Sequence, residues 1–273
     1  MHIGVRITPA TDPSVADLAR RAEDSGFDSV WLSERVATPL ENHPYDPSVD
    51  PWIALSYVAA VTARVKLGTC VSQIAIRHPV VMARQLATLD RLSSGRVIVG
   101  AGAGWVYEEF TSTGVDYDSR GGRLAEAIQV MRHLWSEPEN GWDGKHFQVP
   151  PIKIVQPATP DGPPFFLGAS NSRGLRRAAL YGDGFISVGL TPDRLADTAQ
   201  RLREKRAAAG RDGDFPIFCQ VDPPTSEEEG RELVDGLRKA GASGLILAEP
   251  MGRSDGFPQD DAITRAVIDA ARD

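Results

Sequence analysis

Apolar residues in this chain gather into short continuous runs at positions 2–7, 28–33, 65–71, 96–101, 164–167, 184–187, 215–221 and 243–248. Runs of that length, rich in Val, Ile, Leu and Phe and bounded by Gly, Asp, Ser or Pro, predict strands buried on both faces. Between them the apolar period changes to that of a helix. After the fourth run Leu124, Ile128, Met131 and Trp135 fall on one face, and after the seventh Leu233, Leu237 and Ala240 do the same. Pro79 opens a helix carrying Met82, Leu86 and Leu89, and Ser94-Gly95 stops it, while Pro192 and Asp197 onward supply the sixth helix. Strands alternating with helices predict a parallel sheet. Eight such units in 273 residues predict an α/β fold of the (β/α)8 TIM-barrel type, one domain over residues 1–273. A doubly wound open sheet would more often have five to seven strands. The longest departures from alternation are residues 36–50 and 137–163, read as loop insertions. The second holds a WDGKHFQV segment expected to form a hairpin.

Composition narrows the partners. With 41% hydrophobic residues the chain can bury a sizeable core, and 30 basic against 37 acidic residues leave a formal charge of −7. That balance argues against nucleic acid or an anionic membrane as partner, so any anionic ligand must be held locally. Cys70 and Cys219 both fall inside apolar runs, the placement of reduced thiols rather than of a disulfide. The histidines show no ligand spacing, so no metal is expected. No basic leader precedes a long apolar run, and nothing approaches the roughly 20 apolar residues of a membrane span. A cytoplasmic protein is expected.

In a barrel the chemistry sits just past the carboxyl ends of the strands. After the fourth strand come Gly102, Ala103, Gly104 and Trp105. The glycines let a ligand approach the backbone, and without the third glycine of a dinucleotide fingerprint the loop reads as a site wall. Trp105 either stacks on a ring or serves as core or lid. Glu108 and Glu109 follow, one of them a proton donor if burial raises its pKa and otherwise a solvated carboxylate. After the fifth strand Gly168, Ala169, Ser170 and Asn171 lead into a helix. Free N–H groups there suit a phosphate, and the plain alternative is a helix cap by Ser170 or Asn171. Cys70 by itself is a small buried hydrophobe, with no adjacent base to make it a nucleophile.

Taken together, Ala22-Glu23-Asp24-Ser25-Gly26-Phe27-Asp28-Ser29-Val30-Trp31, His78-Pro79, Ala87-Thr88-Leu89-Asp90, Gly102-Ala103-Gly104-Trp105, Arg120-Gly121-Gly122-Arg123-Leu124, Phe166-Leu167-Gly168-Ala169-Ser170 and Gly182-Asp183-Gly184-Phe185 resemble the luciferase-like monooxygenase superfamily of flavin and deazaflavin barrels. Within it the chain is most similar to the group that uses coenzyme F420, a 5-deazaflavin that transfers hydride. The resemblance implies that Cys70, Val71, Ser72 and Gln73 form a backbone bulge with a cis peptide at Cys70-Val71, pressed against the central ring. It implies further cofactor contacts from Ser33, Gly102, Gly104, Trp105 and residues 168–171, the last holding phosphate. Arg120 and Arg123 would reach the cofactor tail or tie their helix to neighbouring loops. Many deazaflavin-using relatives have Ser-Asp-His where this chain has Ser33-Glu34-Arg35. Glu34 keeps an acid, but Arg35 carries a permanent charge that stabilises an anion without shuttling a proton. Glu34, Arg35, Glu108 and Glu109 are thus the catalytic candidates.

The function implied is hydride exchange between F420 and a small organic substrate. An FMN-dependent monooxygenase fed by a separate reductase is the alternative, and a non-catalytic flavin- or deazaflavin-binding barrel a third reading. A barrel aldolase or hydrolase would need a strand-end lysine or metal cluster, which the sequence does not present. Relatives commonly form homodimers through helices near the second and third strands, where Ala54, Val58 and Val61 give a small apolar face.

Overall fold

The computed structural model describes residues 1–7, 15–41, 48–248 and 261–273. Strand β1 (His2–Arg6) is followed by α1 (Val15–Asp24), β2 (Ser29–Leu32), α2 (Pro51–Val61), β3 (Lys66–Thr69), α3 (Pro79–Leu92) and β4 (Val97–Ala101). Two helices, α4 (Tyr107–Ser112) and α5 (Arg120–Ser136), precede an antiparallel pair, β5 (Trp142–Asp143) with β6 (Gln148–Val149). The chain then runs through β7 (Phe165–Gly168), α6 (Ser172–Tyr181), β8 (Gly184–Val188), α7 (Pro192–Ala207), β9 (Ile217–Val221), α8 (Glu227–Lys239), β10 (Gly244–Ala248) and α9 (Ala262–Arg272). Eight strands close into a parallel barrel in the order β1-β10-β9-β8-β7-β4-β3-β2. This is the expected (β/α)8 architecture, and β5–β6 is the expected hairpin.

Large side chains inside the barrel are matched to glycines on neighbouring strands. Trp31 is fully buried between Gly4 and Gly68, where an added Cβ would lie 2.4 Å and 2.2 Å from the indole. Phe166 faces Gly184, and Phe218 faces Gly244, at 2.7 Å and 2.8 Å by the same measure. The three aromatics pack edge to face, with centroids 5.9 Å apart for Trp31–Phe218 and 5.1 Å for Phe166–Phe218. Cys70, Ile98, Ile186 and Ile246 complete this inner cluster. It is a packed floor on which a site can stand, not a pore.

Two details differ from the pattern-based expectation. The third strand stops pairing at Thr69, short of position 71, because the chain leaves the β2 partner and Ser72 bridges Ala101 of β4 instead. On α8 the expected Leu237 and Ala240 are buried, but Leu233 is only half-buried, and Gly230, against Val267 of α9, and Val234 join the buried face. Among the described residues no helix is long and apolar enough to cross a membrane.

Candidate functional site

Two carboxylates organise the carboxyl end of the barrel. Glu34, just past β2 and 7% exposed, accepts from the Ser72 hydroxyl at 2.8 Å and the Gln73 backbone N–H at 2.6 Å. Arg77 grips both of its oxygens, through Nη1 at 2.9 Å and through a close Nη2 contact, and reaches Asp50 at 3.3 Å. Asp50 in turn caps α2 by accepting from the N–H groups of Trp52 and Ile53, and Trp52 Nε1 donates to Ser72 Oγ at 3.2 Å. A carboxylate with four charge-assisted or buried donors holds its orientation strongly.

Glu109 forms the second node. It is fully buried on α4 and accepts from Arg35 Nη1 at 2.8 Å, Val36 N–H at 2.8 Å and Gln73 Nε2 at 2.6 Å. The Arg35 guanidinium, 12% exposed, lies 5.0 Å from the centre of the Trp105 ring, and its backbone N–H donates to Ser48 Oγ. Trp105 itself is 58% exposed at the rim, and Glu108 is exposed on α4. Gln73 links both nodes: its backbone serves Glu34 and its side-chain amide serves Glu109.

Beside these ion pairs lies a cradle. The Cys70–Val71 peptide is cis, as the resemblance implied. Val71 faces Gly102 and Gly168, where an added Cβ would stand 2.7 Å and 3.2 Å from its methyl groups. Gly104, at φ +78°, lies beside Gln73, whose Oε1 is buried with no hydrogen-bond partner. Because an ionised Glu109 only accepts, the Gln73 amide nitrogen must face it and the oxygen is turned to Gly104. Two glycines against one valine, with Gly104 and a buried acceptor alongside, fit a flat ring resting on Val71. Cys70 beneath donates to Gln220 Oε1 at 3.1 Å, and burial pushes its thiol pKa up to about 12, which removes it as a nucleophile at neutral pH.

At the end of β7, Asn171 caps α6 by accepting from Gly174 N–H at 2.9 Å, so its side-chain oxygen is engaged within its own helix. Gly168 and Ala169 are half-buried, and Ser170, Asn171 and Arg173 are exposed beside the cradle. Ser33 is half-buried at the end of β2. Arg123 ties α5 to the turn after Gln73 through Ala75 O at 3.0 Å and lies over Phe147, which is the tethering role. Arg77 and Gln220 were not legible as site residues: the Arg77 to Glu34 contact spans 43 positions, and the Cys70 to Gln220 contact spans 150. Among the described residues no group of His, Cys, Asp and Glu is placed to hold a metal ion.

Comparison with known proteins identifies the family. The family profile described as luciferase-like monooxygenase matches residues 4–255. An uncharacterized protein of Mycobacterium tuberculosis is 33% identical over 238 residues, covering 81% of this chain and 84% of its own. An F420-dependent glucose-6-phosphate dehydrogenase of Kineococcus radiotolerans is 35% identical over 227 residues, 80% of this chain and 66% of the relative. Among solved structures, an F420-dependent secondary alcohol dehydrogenase in complex with an F420-acetone adduct superposes with a TM-score of 0.86 at 23% identity, over 100% of this chain and 99% of that one. The profile match spans most of the barrel and includes the strand ends that build the cradle, and the chain therefore belongs to the luciferase-like monooxygenase family.

Proposed function

We propose that this barrel is an F420-dependent oxidoreductase that exchanges hydride with a small organic substrate. The observation that carries the reading is the glycine cradle around Val71, set beside a fixed guanidinium. The F420-dependent dehydrogenases among its relatives support the choice of cofactor. F420, when bound, supplies a ring carbon that donates or accepts a hydride and does not activate oxygen.

The protein's own groups then have distinct tasks. Val71 supports one face of the ring, Gly102 and Gly168 make room for the Val71 side chain, and Gly104 makes room for Gln73 and Phe110. Arg35, held by Glu109 and bordered by Trp105, offers N–H donors to an oxyanion developing on the substrate. Its charge is permanent, so it stabilises without exchanging a proton. Glu34 and Glu109 fix the walls of the site, each with its oxygens already committed to donors.

Titrating the purified chain with F420 and with FMN tests the reading. Saturable F420 binding with weaker FMN binding is expected, whereas tight FMN binding with none for F420, accompanied by oxygen consumption with reduced FMN, would establish the monooxygenase alternative.

The homodimer implied by the resemblance has a matching surface. Ala54 and Val58 face the core, but Ile53 and Tyr57 on the outer side of α2 are 75% and 53% exposed, and Val81 on α3 is 52% exposed. An Ile53→Glu, Tyr57→Glu double variant is expected to sediment as a monomer where the parent sediments as a dimer.

A further inference from the structure

The carboxyl end of the barrel divides into two halves. Val71, Gly102 and Gly168, the cradle, lie at the ends of β3, β4 and β7. On the other side β8, β9, β10 and β1 are consecutive neighbours. The packed floor shows which residues of these four strands point inward: Ile186, Phe218 and Ile246 belong to it, and Gly4 lies against Trp31. Two residues further along each strand the same face carries Val188, Gln220, Ala248 and Arg6. None of the four strands contains an acidic residue, and Asp222, just past β9, is exposed.

Arg6 is buried, and Ala248, its partner in register, presents only a methyl group beside it. Burial raises the Cys70 thiol pKa and the Arg6 charge pulls it the other way, in keeping with a guanidinium set near the floor. With five N–H donors a guanidinium serves a protein neighbour and a ligand together. Gln220 accepts from the Cys70 thiol at 3.1 Å, and because that thiol stays protonated at neutral pH, Oε1 is the atom that faces it. The Gln220 amide nitrogen then has donors and no acceptor among the described residues. Val188, in register with Gln220, is 63% exposed although it points inward, so the barrel is open above this side of the floor.

Donors without acids, beside an open apolar wall, select an acceptor-rich group on a short apolar stem. We propose that Arg6 and Gln220 are specificity-determining residues that seat a substrate carboxylate, which makes the substrate class a small organic acid. A planar guanidinium and an amide N–H match the planar oxygen pair of a carboxylate. Val188 lines the apolar part of the acid, and Arg35, after the neighbouring β2, remains for the reacting oxygen. The inference rests on the reading of the cradle as the cofactor's seat, since the acid takes the half of the barrel that the ring leaves open.

The test uses the full chain with Arg6→Met, Arg6→Lys and Gln220→Leu, and the probes levulinate, methyl levulinate, valerate and inorganic phosphate. Both acids are expected to raise the parent's melting temperature at equal ionic strength, and the ester to leave it unchanged. The preference for levulinate over its ester, about tenfold or more in the parent, is expected to vanish in Arg6→Met and to survive in part in Arg6→Lys. It should fall by a smaller factor in Gln220→Leu, which decides the matter should Arg6→Met not fold. The preference is a ratio, so a variant that is merely less stable keeps it. Equal binding of acid and ester by the parent, a preference unchanged in Arg6→Met and Gln220→Leu, or phosphate stabilising the parent as strongly as the acids would overturn the seat. F420 titration separates the two readings, with Arg6→Met expected to bind F420 within about twofold of the parent. A parent that binds no flavin or deazaflavin yet keeps the Arg6-dependent preference would overturn the cofactor reading and the acid's role as hydride partner, leaving a carboxylate site.

Discussion

Arginine is treated in opposite ways at the two ends of this barrel. Below β4, Arg96 is 8% exposed and places five hydrogen bonds, to Ser93 O, Thr62 Oγ1, Val65 O, Ala59 O and Thr62 O. Its charge sits at the carboxyl end of α2, where the helix favours a cation. At the other end Arg177 faces the amino end of α5 with no acceptor, and Arg35 is turned by Glu109 toward an exposed indole. Arg96 is closed in and satisfied, as a stabilising arginine should be. The other end holds cationic groups and a buried amide oxygen, Gln73 Oε1, in positions that ligands can complete.

The comparison is broken most directly at its buried charges. Glu109→Gln removes the buried carboxylate that Arg35 contacts and is expected to cost about 3–5 kcal/mol in a denaturant melt. Glu109→Gln should also weaken cofactor-linked turnover, because Arg35 and Gln73 lose their shared anchor. Arg96→Met strands several carbonyls and should cost about 3 kcal/mol by the same melt, against no loss for Arg177→Gln. Equal losses for Arg96→Met and Arg177→Gln would remove the distinction between the two ends.

Between the two ends, Gly68→Ala drives a methyl into the buried Trp31 ring and is expected to lower stability by about 1–3 kcal/mol. A smaller effect comes from His2, whose pKa burial lowers from 6.5 against the pull of Asp28. A base with a depressed folded pKa binds fewer protons folded than unfolded, so stability falls as pH drops below the unfolded value. Melts at pH 7.5 and 5.5 should therefore diverge, with the part due to His2 absent in His2→Gln. Cys70 should give the smallest signal: no labelling by iodoacetamide at pH 8 in the folded chain and ready labelling once it is unfolded.

Much of the fold was legible because each strand run is apolar on both faces, a local signal that needs no partner. The strand ends were less so. Val65 to Val71 reads as one apolar run, yet pairing ends at Thr69 since only the neighbouring strand decides where the ladder stops. Of the candidate site, the barrel rule and the family resemblance pointed to the strand ends, where the structure gathers Glu34, Gln73, Gly102 and Gly168. Their tasks were not legible. Glu34 and Glu109 read alike as candidate acids, and only Arg77, Ser72, Gln73 and Arg35, folded in from other strand ends and loops, show that both are anchors.

The sequence by itself therefore determined the alternation, the eight strands and the loops that carry the cradle, because hydrophobic period and glycine placement act locally along the chain. Tertiary structure alone decided which charges are paired. The Arg35–Glu109 contact spans 74 positions, and Arg177 meets Gly121 across the α5–α6 seam. Electrostatic roles depend on distance in space and on burial, and neither quantity is written in the order of residues.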